Sequence, residues 1–199
     1  MLKVGITGGI GSGKTTVCQI FECLHVPVFY ADVEAKRLMS SDPELKSKIS
    51  SLFGKKAYAE NGQLNRKYIS SRVFSDKSLL SKLNQLVHPA VFQAAEKWFK
   101  SKADQKYALY EAALIFETNS QDRFDQIITV TAPKKMRIQR VVMRDKVSSK
   151  SVEDRMKNQM SQWAKLKISN YQIRNNGKKL ILPQILYIHH DLLFKSMVK

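Results

Sequence analysis

Cysteine is scarce: Cys18 and Cys23 are the only two in the chain. They form no CxxC pair, and no cluster of cysteine and histidine has the spacing of a zinc site. Neither a disulfide framework nor a structural zinc is expected, and both cysteines read as small apolar residues on one helix. Also missing is any apolar run near the roughly 20 residues that span a bilayer, so no membrane partner is expected. Met1 leads straight into a short apolar strand and then glycines, without the longer apolar segment and cleavage site of a secretory signal. A cytoplasmic location is therefore the expectation. The five prolines form no linker, and no repeat or low-complexity tract interrupts the chain. A length of 199 residues leaves room for one core with short inserted substructures, but not for two large domains. The last shortage is of acidic residues, with 17 Asp and Glu against 34 Lys and Arg for a net charge of +17. Such a field attracts nucleotides, nucleic acid or anionic lipid and does not choose among them. The lysines are scattered (Lys46, Lys48, Lys55, Lys56, Lys77, Lys82, Lys178, Lys179), and no interleaved basic-aromatic motif stands out. Nucleic acid is accordingly not an expected partner.

What is present is a change of period along the chain. Residues 2–6 (LKVGI) read as a short buried strand, closed by the glycines from Gly8 to Gly13. From Lys14 on, Val17, Ile20, Phe21 and Leu24 recur at helical spacing. Residues 26–30 (VPVFY) read as a second strand, after which Asp32 opens a helix as its N-cap. Strand, glycine turn, helix and strand in this order make a βαβ unit and imply a parallel sheet. The pattern is then helical around 33–40, 43–53, 65–74, 78–86 and 89–101, with breaks at Gly54 and Asn61-Gly62. Strands return at 106–111 and 126–131, followed by a helix over 133–145 and a polar, basic, helical stretch over 148–168. A short strand at 171–174 and a closing helix over 178–197, bent or interrupted at Pro183, complete an α/β chain with helical additions.

The strongest motif is Gly8-Gly9-Ile10-Gly11-Ser12-Gly13-Lys14-Thr15, which satisfies G-x-x-x-x-G-K-[ST]. Glycines permit backbone angles and a close approach that a Cβ would forbid. The N–H groups of Gly11, Ser12, Gly13 and Lys14 can then point at phosphate oxygens, with the helix dipole adding positive potential. Lys14 supplies charge to the β- and γ-phosphates, and the Thr15 hydroxyl is the expected Mg²⁺ ligand. The ATP site is expected to run through Gly9, Ile10, Gly11, Ser12, Gly13, Lys14, Thr15 and Thr16.

Phosphoryl transfer depends on positioning and charge stabilisation, so a carboxylate near the acceptor and arginines near the transferring group are sought. Asp32 follows the second strand, at the edge where open α/β sheets bind ligands. It reads either as the base that accepts or orients an attacking hydroxyl, or only as a helix cap. Glu111 ends the apolar strand YALY, where a carboxylate near the Mg²⁺ water shell is expected, and Glu117 follows six residues later. Either reads alternatively as a solvated strand-end charge, Glu117 more so than Glu111. Arg137, Arg140 and Arg144 share one helical face, which makes sense if an anion sits among them. Beyond the polar stretch KVSSKS, a possible hinge, lies Arg155, and this basic segment reads as a lid or as a solvated helix.

At this point the sequence resembles the dephospho-coenzyme A kinase family. The resemblance rests on ITGGIGSGKT, on Ala31-Asp32, on Asn61-Gly62-Gln63-Leu64-Asn65-Arg66, Val73-Phe74, Leu83-Asn84 and His88-Pro89, and on Glu111-Ala-Ala-Leu-Ile-Phe-Glu117. It continues through Arg140, Arg144 and Asp145, then Arg155 with Gln159, to Ile173-Arg174-Asn175-Asn176-Gly177. It implies a P-loop three-layer fold with a parallel sheet, a helical insert and a small helical lid. The implied divisions are a nucleotide-binding core at 1–32, 104–140 and 169–199, a dephospho-CoA-binding insert at 33–103 and a lid at 141–168. ATP with Mg²⁺ is the implied phosphoryl donor, and the acceptor is the ribose 3′-hydroxyl of dephospho-CoA. Asp32 is implied as catalytic base, with Lys14, Arg140 and Arg144 stabilising charge. Arg66, Asn84, His88 and Glu111 are implied on the substrate, and Asn175 near the adenine. A monomer or weak homo-oligomer is expected. Departures from the family pattern are Tyr30 for its first aspartate, Glu111 for aspartate, Ala113 for proline and Ser169-Asn170 for Ala-Asp. The rival reading is a kinase for a nucleoside or nucleoside monophosphate.

Overall fold

Val4 and Ile6 are fully buried in the first strand, β1 (Leu2–Thr7), as a strand covered on both faces requires. The structure, a computed structural model, describes residues 1–198 apart from the side chains of Phe74, Ser75 and Lys77. The Phe74 side chain of the Val73-Phe74 pair, the Lys77 side chain and the last residue of the 169–199 segment therefore lie outside the described residues. After β1 come α1 (Lys14–Cys23), β2 (Val28–Tyr30), α2 (Ala31–Ser41), α3 (Pro43–Phe53), a 3-10 turn at Lys55–Ala57, α4 (Arg66–Ser75) and α5 (Lys77–Lys100). The chain continues through β3 (Tyr107–Glu111), β4 (Gln126–Thr131), α6 (Lys134–Asp145), α7 (Ser149–Lys157), α8 (Gln162–Lys167), β5 (Tyr171–Arg174) and α9 (Ile181–Val198). The strands form one sheet in the order β2-β3-β1-β4-β5, and every neighbouring pair is parallel.

Two compact units result, Met1–Tyr30 with Phe99–Lys199, and Ala31–Trp98. In the first, Val17 and Phe21 of α1 and Ile185, Ile188 and Leu192 of α9 pack with Val4, Ile6, Leu109, Ile128 and Ile173 of the strands. Each such side chain contributes about 1.5–3 kcal/mol on burial. Cys18 belongs to the same cluster, and burial pushes its thiol pKa well above the usual range. Both cysteines are free. No helix among the described residues is long and apolar enough to cross a membrane.

In the second unit, Leu45, Ile49 and Phe53 of α3 recur every four residues and are buried. The Asp42 carboxylate caps this helix by accepting from Leu45 N–H at 2.8 Å, with Pro43 at its first position. Tyr58 and Leu64 bridge antiparallel across the Asn61-Gly62 turn, and Asn65 Oδ1 caps α4 by accepting from Tyr68 N–H at 3.1 Å.

Several expectations need correction. The second strand begins at Val28, not at 26, because Pro27 has no N–H to add to the ladder. Asp32 is not an N-cap. The chain passes from β2 directly into α2, so Asp32 and Glu34 fall in its first turn, where negative charge suits the helix dipole. The helical patterns expected separately around 78–86 and 89–101 are one helix, and α5 runs through Pro89. Its buried Leu83, Val87, Val91 and Ala95 keep a stripe at four-residue spacing on one face. Pro89 itself is exposed, as is Gln85, whose carbonyl loses the helical bond. The stretch 148–168 is two helices, because the Ser148 and Ser161 hydroxyls each cap a new start. Half of the expected hinge KVSSKS is thus the first turn of α7. Pro183 neither bends nor interrupts α9, since it sits in the first turn, where N–H groups have no helical partner.

Candidate active site

Gly8 to Gly13 link the C-terminal end of β1 to α1, with Gly8, Gly11 and Gly13 all at positive φ. Among the described residues no side chain caps the first turn of α1, so its N–H groups remain available to an anion. The Ser12 hydroxyl is fully buried and has no hydrogen-bond partner among the described residues. A buried hydroxyl without a partner is costly, and a phosphate oxygen is an acceptor of the right kind. Lys14 Nζ donates to Gly8 O at 3.1 Å and stands 3.7 Å from the Glu111 carboxylate, with only 11% of its side chain exposed. Thr15 and Thr16 are exposed.

The loop is braced from α6 and from the turn after β5. Arg137, buried, donates through Nε to Ile10 O at 2.9 Å. Arg140 Nη1 reaches Gly11 O at 3.5 Å and Ser12 O at 3.4 Å, while Nη2 donates to Asn175 Oδ1 at 3.2 Å. Asn175 Nδ2 in turn donates to Ser12 O at 3.0 Å. From the α7–α8 linker, Gln159 Oε1 accepts from Ile10 N–H at 2.9 Å. These partners explain two of the glycines. A Cβ on Gly9 would lie 2.1 Å from Arg137 Nη2, and one on Gly13 would lie 2.2 Å from Asn175 Nδ2.

Gly13 also has φ of 95°, where an alanine is strained. Gly13→Ala is therefore expected to raise the KM for ATP roughly tenfold or more. Gly13→Ala with Asn175→Ala should recover part of that loss, since it removes the collision but not the backbone strain. Steady-state kinetics at varied ATP checks both.

Glu111 is buried at the end of β3, paired in register with Tyr30 of β2. Tyr30, in place of an aspartate, donates its hydroxyl to Glu22 at 2.9 Å, and burial pushes its phenol pKa up. Asn170, where the resemblance implies aspartate, keeps an acceptor and takes Ile127 N–H on Oδ1 at 2.8 Å. Glu117 is not solvated: its carboxylate accepts from Met160 N–H at 2.8 Å and pairs with the buried Lys165 at 2.9 Å.

The structure thus brings together Gly9, Ile10, Gly11, Ser12, Gly13, Lys14, Glu111, Arg140 and Asn175. Arg144 stands apart from these, salt-bridged to Asp145 at 2.7 Å, and Arg155 shares that carboxylate at 3.3 Å. Of the three arginines on that face of α6, only Arg137 and Arg140 reach the loop. Asn175 binds the loop's own backbone through Ser12 O. Sequence reasoning placed Arg137 with Arg140 and Arg144 around an anion but not on the loop's own backbone, quoted Gln159 only as part of a motif, and missed Lys165.

The second unit holds the remaining candidates. Asp32 is exposed in the first turn of α2, and Arg66 is exposed at the first position of α4. Asn84 and His88 are half-buried one turn apart on one face of α5. Burial lowers the His88 pKa below the ordinary 6.5, and the Asp32 charge partly opposes that. The unfolded chain therefore binds this proton first as pH falls. Stability from neutral His88 is complete above 6.5 and declines below it, until the folded pKa is passed. The slope cannot exceed about 1.4 kcal/mol per pH unit for one proton. Urea titrations between pH 7.5 and 5 should show the decline, and His88→Gln should flatten it.

The family model described as CoaE, dephospho-CoA kinase, matches residues 2–180. The dephospho-CoA kinase of Salinibacter ruber is 42% identical over 179 residues, which cover 89% of this chain and 90% of that protein. A crystal structure of TT1252 from Thermus thermophilus superposes with a TM-score of 0.82 at 28% identity, covering 98% and 97% of the two chains. The dephospho-CoA kinase from Campylobacter jejuni shares the fold at a TM-score of 0.71 and 21% identity, covering 98% of each chain. The glycine-loop geometry and these matches lead to one conclusion: the chain belongs to the dephospho-CoA kinase family.

Proposed function

We propose that this chain transfers the γ-phosphoryl group of ATP to the ribose 3′-hydroxyl of dephospho-CoA, giving coenzyme A and ADP. The observation that carries the reading is the phosphate loop itself. Its helix start is uncapped, the Ser12 hydroxyl is buried without a partner among the described residues, and Lys14 stands beside it. In the proposed mechanism the loop N–H groups and Lys14 hold the β- and γ-phosphates of ATP. Arg140, braced by Asn175, adds positive charge as negative charge spreads over the transferring group. Arg144 is the alternative for that role, and its partner Asp145 would have to be exchanged for phosphate.

Asp32 is proposed to accept the proton of the 3′-hydroxyl as that oxygen attacks phosphorus and the bond to the ADP oxygen breaks. Its support is its place just past the C-terminal end of β2 and the Ala31-Asp32 match to the family motif. Arg66, Asn84 and His88 are proposed to hold the acceptor. Arg66 is free of a capping task, since Asn65 performs it. The Thr15 hydroxyl and the Glu111 carboxylate are hard oxygen donors beside the loop, a set that suits Mg²⁺. When bound, Mg²⁺ supplies charge that draws the phosphate oxygens together.

The chain is proposed to act in the cytoplasm, as a monomer or weak homo-oligomer. A panel of dephospho-CoA, adenosine and AMP, each followed by coupled ADP release, tests the acceptor. Turnover confined to dephospho-CoA is the expected result. Turnover with adenosine or AMP alone would keep the kinase chemistry and overturn the acceptor.

A further inference from the structure

Lys165 of α8 is fully buried, with no exposed surface. An ammonium withdrawn from water is tolerated only with strong partners, and these show what it holds together. Nζ donates to Ala113 O at 2.8 Å and lies 2.9 and 3.1 Å from the two oxygens of Glu117. Ala113 O also accepts from the Thr7 hydroxyl at 3.2 Å, at the end of β1. The Glu117 carboxylate accepts from Met160 N–H at 2.8 Å, which fixes the linker between α7 and α8. The neighbouring residue, Gln159, places its amide oxygen on Ile10 N–H of the phosphate loop at 2.9 Å. The same Ile10 is held at its carbonyl by Arg137. At the other end of α8, the Ser169 hydroxyl donates to Lys165 O at 2.6 Å and meets the Thr129 hydroxyl of β4 at 2.6 Å.

We propose that Lys165 is a positioning residue for ATP binding. Through Glu117 and the Met160 amide it sets Gln159 on the Ile10 N–H and keeps the loop in its nucleotide-receiving shape. The inference deepens the ATP-binding reading of the loop and rests on it. Burial lowers the ammonium pKa, the Glu117 carboxylate raises it, and Lys14 and Arg137 lower it further. Lys165 therefore feels the charges beside the phosphate loop, although nothing on α8 marks it as part of a site. A lysine that only filled the interior would contribute to stability and leave nucleotide affinity alone.

The test is a double-mutant cycle read by calorimetric titration of ATP with Mg²⁺, with dephospho-CoA kinetics alongside. Gln159→Leu removes one hydrogen bond to the loop and is expected to weaken ATP about fivefold. Lys165→Met should weaken ATP at least as much, with the KM for dephospho-CoA unchanged. The double variant should bind ATP no worse than Lys165→Met alone. If Lys165→Met does not fold, Glu117→Gln gives the same readout, because it keeps an oxygen for Met160 N–H while removing the charge that grips Lys165. Additive losses, or unchanged or tighter ATP binding with only a lowered Tm, would overturn the proposal. Failure of the unaltered protein to bind ATP would instead overturn the functional reading, and this inference with it.

Discussion

Asp32→Asn is expected to lower kcat by about two to four orders of magnitude, the range for loss of a general base. The KM for ATP should change by less than about twofold, because the loop and its braces contain no part of the substituted group. Asparagine preserves the size of the side chain, so acceptor binding should survive where only the proton-accepting oxygen is lost. Folding should survive as well. Asp32 is exposed in the first turn of α2, where losing a negative charge costs about 0.3–1 kcal/mol of dipole stabilisation. A thermal melt of the variant within a few degrees of the parent would exclude unfolding as the cause. Turnover within about tenfold of the parent would show that Asp32 is not the base.

Lys14→Met is expected to cost about 10²- to 10³-fold in kcat, the scale for losing one preorganised charge on the transferring group. In contrast to the Asp32 variant, ATP affinity should fall too, since on the proposed reading the ammonium would contact phosphate in the ground state as well. Methionine keeps most of the length of the side chain but no charge for Glu111, which is 6% exposed. Some loss of stability is therefore expected, because a buried carboxylate loses an ion partner. Isothermal titration with ATP and single-turnover kinetics separate the two effects. If Lys14→Met bound ATP and turned over like the parent, the loop would not be the phosphate site.

The phosphate loop was legible because its chemistry dictates residue types at fixed spacing, and the strand and helix around it follow the same logic. The parallel sheet followed from β1, α1 and β2. The face shared by Arg137, Arg140 and Arg144 was legible too, but reach along the helix was not. Seven residues carry Arg144 roughly 10 Å beyond Arg137, where it meets Asp145 and not the loop. Pro89 misled because proline stops helices by local rule, whereas buried side chains on either side keep α5 continuous. Asp32 misled as a cap because β2 feeds α2 without an intervening residue. Lys165 was invisible among 34 basic residues, since its burial depends on Glu117 and Ala113, both about fifty positions away. Asn175 was quoted as part of a motif, but its bond to Ser12 O spans 163 residues and leaves no local pattern.

The central claim is that this chain places the γ-phosphoryl group of ATP on the 3′-oxygen of dephospho-CoA. Phosphorus NMR of the product mixture, after incubation with ATP, Mg²⁺ and dephospho-CoA, tests it most directly. The account predicts a new phosphate-monoester resonance on the ribose 3′-position, growing in equal amount with ADP and absent when dephospho-CoA is omitted. ADP formed with inorganic phosphate, or a phosphoryl group at another position, would contradict it.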